Sequence, residues 1–495
     1  MIYLGIDCGT QSTKTIALDG DTGKILATAA QNYDVLPGLP AGHLEQEPAT
    51  WIQALETTVG QVLERLGAGR KDVRGLGVSG QQHGFVALDR QARVIRPAKL
   101  WCDTSTAEEC DLIRKRFGGA RSLIARVGLD MLPGFTAPKI LWLKRHEPEN
   151  FAKLATVLLP HDYLNFYLTG KFRMEYGDAS GTALLNVRNR QWEREILEFI
   201  DPALPEKMPP LGSSRKAGGV LKPELVQRWN LSGDVVVSAG GGDNMMGAIG
   251  TANVMPGRIT ASLGTSGTIY AYSKKPVIDP QGEIAAFCDS TDAWLPLLCT
   301  MNVTLATEAV RNLFGWSVAQ LDNAIESVSP GADGLLFLPY LQGERTPNLP
   351  GGSGVFHGLT TRNMKPALIA RAVMEGATFG MAYGLERMKE LGISPVEIRL
   401  TGGGSRSAIW RQICADIFNC RVVTLAEAEG AALGAAIQAL ATVQTEKSVD
   451  NWADGFVRVN TGEATEPRAD ICFDYAAARQ KHLSLTHTLA QHQFL

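Results

Sequence analysis

Gly5-Ile6-Asp7-Cys8-Gly9-Thr10-Gln11-Ser12-Thr13-Lys14 and Ala261-Ser262-Leu263-Gly264-Thr265-Ser266-Gly267-Thr268 read as two copies of one pattern, 255 positions apart. Gly9 aligns with Gly264, Thr10 with Thr265 and Thr13 with Thr268. Each copy follows a short alternating apolar run and leads into another, Thr15 to Leu18 and Ile269 to Ala271. That is the pattern of a β-hairpin with a Gly/Thr/Ser turn. Glycine at the tip lets another group approach the backbone closely. Amides and hydroxyls there can wrap phosphate oxygens. The candidate phosphate ligands are Thr10, Gln11, Ser12 and Lys14 in the first copy, and Gly264 and Thr265 in the second. Two such tips on two halves of one chain predict two domains gripping a polyphosphate. Only the first copy carries an acid, Asp7. A lone carboxylate beside phosphates repels them, so Asp7 implies a bridging cation, Mg²⁺ held through water.

Size and composition agree with two domains. The chain has 495 residues, 45% of them apolar, with a formal net charge of −3. That length exceeds the usual single domain. The charge balance is not basic, which argues against nucleic acid as a partner. The start, Met1-Ile2-Tyr3-Leu4-Gly5, runs straight into the first hairpin and reads as mature structure, not a signal peptide. No apolar run has bilayer-spanning length. The eight cysteines form no CxxC pair and no Cys/His cluster of zinc spacing, so reduced thiols are expected.

Strands and helices alternate through most of the sequence, which predicts an α/β architecture. Helices are expected over Thr50–Leu66, Thr106–Phe117, Pro138–Lys144 and Asn244–Ile249, and strands over Val73–Val78, Val235–Val237 and Glu397–Leu400. The stretch from Pro205 to Pro210 reads as a surface loop. The domain boundary is placed between Gly247 and Met255. Beyond about Leu440 the apolar pattern weakens.

Three further segments carry chemistry. In Leu400-Thr401-Gly402-Gly403-Gly404-Ser405-Arg406-Ser407 a strand meets three glycines and then a helix, which Ser405 or Ser407 can cap. Gly403 and Gly404 offer a side-chain-free shelf for a nucleotide, with Ser407 beside it. It is neither a P-loop nor a Rossmann turn. Gly240-Gly241-Gly242-Asp243-Asn244 ends a strand on glycines and projects one carboxylate, which suits a general base for a substrate hydroxyl. Asp243 could also cap the Asn244–Ile249 helix, which does not exclude catalysis, and three flanking glycines exceed what a cap needs. Ser79-Gly80-Gln81-Gln82-His83-Gly84, with Trp101-Cys102-Asp103, supplies amides, an imidazole, an indole face and one acid. Gln82, His83, Trp101, Asp103 and Asn244 are the groups a neutral polyol needs.

Taken together, these residues resemble the FGGY family of sugar kinases, within the actin-like ATPase superfamily, over nearly the whole chain. The Asp7–Lys14 and Leu263–Thr268 turns resemble that family's two phosphate motifs, and Thr401–Ser407 its adenosine motif. Gly134-Phe135-Thr136-Ala137-Pro138-Lys139-Ile140-Leu141-Trp142-Leu143-Lys144-Arg145-His146 meets its first signature. Gly354-Val355-Phe356-His357-Gly358-Leu359 to Ala372-Val373-Met374-Glu375 meets its second, departing at Leu368, where a polar residue is usual.

The resemblance implies an α/β protein of two ribonuclease-H-like domains with a central cleft. Residues 1–247 would form the sugar-binding side and 248–495 the ATP-binding side. It implies ATP and Mg²⁺, a small-molecule sugar as the partner, no membrane or nucleic acid, and a cytoplasmic enzyme. A homodimer stays open. Within the family the likeness is closest to members that phosphorylate D-xylulose. Gln82-His83 fall where those hold the ketose, and Asp243-Asn244 match their catalytic acid and its neighbour. Glycerol-phosphorylating members place two arginines after the Trp-x-Asp segment; here Thr104-Ser105 follow. Many xylulose-phosphorylating members also carry an arginine there. Its absence leaves another ketose, an alditol or gluconate as alternatives. A non-catalytic ATP-binding switch is a remoter one, and it would have no use for Asp243 facing a polyol pocket.

Overall fold

The structure is a computed structural model that describes residues 1–427 and 430–495. The described residues cluster into two compact units. The first comprises those in Met1–Met255, Tyr272–Leu295 and Glu429–Val457; the second comprises those in Pro256–Ala271, Pro296–Ala428 and Arg458–Leu495.

The first unit is built on β1 (Ile2–Cys8), β2 (Ser12–Asp19), β3 (Ile25–Asn32), β4 (Val73–Gly80), β5 (Gly219–Val220), β6 (Val236–Val237) and β7 (Gly241–Gly242). The order is β5-β6-β4-β1-β2-β3, with β7 pairing the far end of β4. β1, β2 and β3 are antiparallel neighbours, whereas β4 runs parallel to both β1 and β6. The second unit uses β8 (Arg258–Leu263), β9 (Gly267–Ala271), β10 (Trp294–Thr300), β11 (Glu397–Thr401) and β12 (Arg421–Thr424). Along β10-β9-β8-β11-β12 the first two pairings are antiparallel and the next two parallel. The repeat seen in sequence is therefore a repeat of topology. In each sheet a tight antiparallel hairpin stands beside a parallel strand.

The expected helices form with boundaries shifted by a few residues: Pro48–Leu66, Ala107–Arg116, Thr136–His146 and Asp243–Gly250. The stretch read as a proline loop contains a short 3₁₀ turn, Leu204–Lys207. All eight cysteines are free thiols. Among the described residues no helix is long and apolar enough to cross a membrane.

The units differ from a single cut at residue 247, and the reason is packing. The Gly430–Val443 helix is alanine-rich and lies on the first sheet and on the Asp243–Gly250 helix, sharing a core with Tyr3, Ile16, Leu18, Met246 and Ile249. Glycines make this contact backbone to backbone. A Cβ on Gly5 would fall 1.9 Å from Ala432 O, and one on Gly77 2.0 Å from Ala435 O. One on Gly250 would fall 1.6 Å from Gly430 O, and one on Gly434 1.8 Å from Met246 O. The chain's last segment is also more than a tail. The Ala469–Gln491 helix buries Tyr475, His482 and Thr486 in the second unit. There the Tyr475 hydroxyl meets Glu375 at 2.5 Å and Arg371 at 3.1 Å. Leu368, which departs from the resembled signature, is buried at the start of the Pro366–Glu390 helix.

Candidate active site

Asp243 opens the Asp243–Gly250 helix, directly after β7 has paired with the end of β4. Its Oδ1 accepts hydrogen bonds from Asn244 N at 2.7 Å and Asn244 Nδ2 at 2.9 Å. Asn244 Nδ2 also donates to Gln82 Oε1 at 2.8 Å, and Gln82 Nε2 reaches Met245 Sδ at 3.1 Å. The carboxylate, the amide and Gln82 thus form one cluster. Burial, followed by the charges of Asp7 and Asp178, pushes the Asp243 pKa up to about 7. A carboxylate so placed takes and gives a proton near neutral pH. The three glycines before it serve packing. Added Cβ atoms would lie 2.6 Å from Val78 O at Gly240, 2.4 Å from Ser290 Oγ at Gly241 and 2.6 Å from Gln82 Cγ at Gly242.

His83 lies one residue further along the β4 exit, with φ of +62°. A non-glycine residue in that left-handed region is uncommon and costs on the order of 1–2 kcal/mol. The conformation is held by its carbonyl, which accepts from Lys139 Nζ at 2.8 Å and Thr136 Oγ1 at 3.2 Å. Both donors come from the Thr136–His146 helix. Burial pulls the Lys139 pKa down to about 7, against the nearby charge of Asp103.

Trp101 Nε1 donates to Thr10 Oγ1 at 3.0 Å, and Thr10 Oγ1 donates to Gln81 Oε1 at 3.3 Å. The indole is thereby tied to the first phosphate turn. Asp103 is fully buried, taking Lys99 Nζ at 3.1 Å, Leu44 N at 2.9 Å and Ser105 Oγ at 2.5 Å. Burial alone would raise its pKa, but these donors hold it below the usual carboxylate range. His43, Glu45 and Asp103 lie close enough together to chelate a metal. The Lys99 ammonium fills that place, 3.1 Å from Glu45, 3.2 Å from His43 and 4.0 Å from the centre of the Trp142 ring.

The first phosphate turn is braced from behind. Tyr33 OH donates to Gly9 O at 2.7 Å and meets Thr13 Oγ1 at 3.1 Å. Gln46 Nε2 donates to Thr10 O at 2.7 Å, and Gln46 Oε1 accepts from Trp51 and from Gln81, both at 2.9 Å. Gln11 and Ser12 line an open hollow with Asn32, Tyr33 and Asp34. Asp7 Oδ1 accepts from Ser79 Oγ at 2.8 Å. Lys14 stands directly across the ladder from Asp7, so a cation neighbours the acid.

In the second unit the β8–β9 turn leaves Thr265 exposed. The carbonyls of Gly264 and Thr265 are pinned by Thr304 N at 2.9 Å and Val303 N at 3.1 Å. After β11, Gly402 has φ of +80°, and its Cβ would lie 2.7 Å from Leu263 C. Gly404 packs on Leu263 and Trp410, whereas a Cβ on Gly403 would meet nothing within 4 Å. Ser407 Oγ caps the Ala408–Phe418 helix through Trp410 N at 3.2 Å and donates to Asp322 at 2.9 Å.

Profiles of the FGGY family of carbohydrate kinases match this chain twice, the N-terminal domain over residues 2–250 and the C-terminal domain over 259–443. The chain belongs to the FGGY family of carbohydrate kinases. Among its relatives, a xylulose kinase of Haemophilus influenzae is 40% identical, over 98% of this chain and 99% of that protein. A xylulose kinase of Escherichia coli is 38% identical, over 90% of this chain and 91% of that one. The crystal structure of a kinase from Brucella ovis, described as a xyloylose kinase, superposes with a TM-score of 0.93 at 32% identity, covering 99% of this chain and all of that one.

As an FGGY carbohydrate kinase the protein transfers a phosphoryl group from ATP to a sugar. Of the residues expected from sequence, Asp243, Asn244 and Gln82 form one hydrogen-bonded cluster, while Trp101 and Thr10 form another. Asp103 and Ser407 are instead saturated by protein partners. Gln46, Tyr33, Lys139 and Asp178 escaped the sequence reading. The one signal available was Lys139's place inside the first family signature, which the structure explains through the His83 carbonyl.

Proposed function

We propose that this kinase phosphorylates D-xylulose to D-xylulose 5-phosphate. The observation that carries the reading is the cluster of Asp243, Asn244 and Gln82 in a chain aligned almost end to end with xylulose kinases. Gln82, His83, Trp101 and Asn244 hold the sugar hydroxyls, and Asp103 contributes by fixing the segment that carries Trp101. Asp243 takes the proton from O5, and that oxygen attacks the γ-phosphorus in line. The O5–P bond forms, the bond to the β-phosphate oxygen breaks, and ADP leaves. Protein groups supply position and charge and do little covalent work. Thr10, Gln11, Ser12 and Lys14 in the first unit and Gly264 and Thr265 in the second take phosphate oxygens. Gly403 and Gly404 take the adenosine, and Ser407 sets the helix beside it. Asp7, a hard oxygen donor at the phosphate turn, fits Mg²⁺ bound through water. The cation, when bound, neutralises phosphate charge. A cytoplasmic location accords with these substrates.

The test is a sugar panel followed by ADP release. D-xylulose is expected to give the highest kcat/KM; gluconate, glycerol or an alditol ahead of it would overturn the sugar assignment and leave the kinase intact. In the same assay His83→Ala raises the Michaelis constant for D-xylulose and lowers turnover. A sugar hydroxyl left without its partner costs ~1–3 kcal/mol. The constant for ATP moves far less. Gly403→Trp probes the other substrate. The open space at Gly403 lets the fold accept the side chain, which then covers the shelf. ATP affinity is expected to fall while D-xylulose affinity holds, and unchanged ATP binding by calorimetry would put the adenosine elsewhere.

A further inference from the structure

The His83 ring is enclosed on several sides. It packs edge-on against Phe135 with centroids 5.2 Å apart and tilts over Phe287 at 5.4 Å. It also closes on Gly181, where a Cβ would come within 2.0 Å of its Cε1. Its Nδ1 faces Asp178 Oδ1 at 3.9 Å. Asp178 is fully buried, and its Oδ2 meets His161 Nδ1 at 2.9 Å. His161 Nε2 in turn meets Asp162 Oδ1 at 3.0 Å. Burial disfavours charge on His161, yet Asp162 and Asp178 together lift its pKa well above the usual value. An imidazolium between two carboxylates leaves the array one negative charge in excess. Burial raises the Asp178 pKa, His161 and a hydrogen bond from the His83 backbone offset that rise, and the Asp178 Oδ1 end of the array lies toward the His83 ring. The other charged groups near it are Glu175, which caps the Tyr176–Ser180 helix that carries Asp178, and Asp243. Lys139 reaches only the His83 carbonyl among these groups.

We propose that Asp178 is a positioning residue for the sugar site, holding His83 as the tautomer protonated on Nδ1 so that Nε2 accepts a hydrogen bond from a sugar hydroxyl. A carboxylate can only accept, so once the pair closes from 3.9 Å to hydrogen-bond distance the imidazole nitrogen facing it carries the proton. Contacts of this kind are often long without substrate and tighten in the bound complex. The inference rests on the reading of His83 as a sugar ligand.

The direct measurement is nitrogen NMR on the ¹⁵N-histidine-labelled full chain, with His83→Gln to assign the signals. Protonated Nδ1 with unprotonated Nε2 on His83 upholds the proposal, and the opposite tautomer overturns it. This reading needs no variant of Asp178 to fold. Asp178→Asn gives a second arm. Its amide oxygen is drawn to the His161 Nδ1–H, so its NH₂ faces His83 and favours the wrong tautomer, a change known elsewhere to impair a histidine without disturbing geometry. The Michaelis constant for D-xylulose is expected to rise about tenfold or more, with that for ATP within about twofold. Adding Asp178→Asn to His83→Ala should cost nothing further. A further tenfold loss in the double variant would show that Asp178 acts elsewhere. His83→Ala without effect on sugar kinetics overturns the underlying sugar reading whichever tautomer is found. A normal loss in His83→Ala with the opposite tautomer overturns this inference alone.

Discussion

An Asp243→Ala protein is expected to lose about 10²–10⁴-fold in sugar phosphorylation while still binding ATP, the usual effect of removing a general base. The expectation follows from position and charge. Asp243 sits at the head of its helix, hydrogen-bonded to Asn244 and through it to Gln82. Its pKa of about 7 makes it a base that is half loaded at neutral pH. Turnover should therefore fall about tenfold per pH unit below that value, as the deprotonated fraction falls. Stability should run the other way. The folded pKa lies above the ordinary 3.8, so the folded state binds this proton more tightly than the unfolded chain does. That contribution is fully present below pH 4 and is lost as pH rises through 7. Asp243→Asn should accordingly match the wild type near pH 4 and exceed it at pH 8, by on the order of 1–3 kcal/mol. Near-normal turnover in a folded Asp243→Ala protein would remove Asp243 from the mechanism.

Gly434→Val is the second large effect. A Cβ at Gly434 would stand 1.8 Å from Met246 O and 2.9 Å from Gly250 N. Both belong to the helix that Asp243 opens. A valine must force two helices apart at backbone level. The cost should reach ~3 kcal/mol or more, the range of overpacked cores without a flexible neighbour to yield. Urea unfolding would read it as a lower midpoint. Because the displaced helix carries Asp243, turnover should fall even where the protein remains folded. An unchanged midpoint would mean that the two helices do not touch as described.

The hairpins were legible because their chemistry is local. Gly9-Thr10 and Gly264-Thr265 each carry turn, ladder and ligand groups within a few residues. The strand-to-helix turn at Gly402–Ser407 was legible for the same reason, although its glycines have different duties, Gly402 and Gly404 for packing and Gly403 for open space. The glycines at 240–242 mark a strand end in the sequence, but their duty is not legible there: protein atoms stand where their side chains would be. The extent of the first unit was not legible, because the Gly430–Val443 helix joins it through glycine contacts 180 or more residues apart in the chain, as between Gly250 and Gly430. Tyr33, Gln46 and Asp178 were silent too. They act through hydrogen bonds or charge between segments distant in the chain, which leave no periodicity or spacing in the sequence.

The central claim is tested most directly by the position of the new phosphate. The protein should be incubated with D-xylulose and Mg-ATP and the product examined by phosphorus and carbon NMR. Coupling of the phosphorus to carbon 5, with one ADP formed per sugar phosphorylated, is the result expected. A phosphate on another carbon, or ADP formed with no sugar phosphate, would contradict the account.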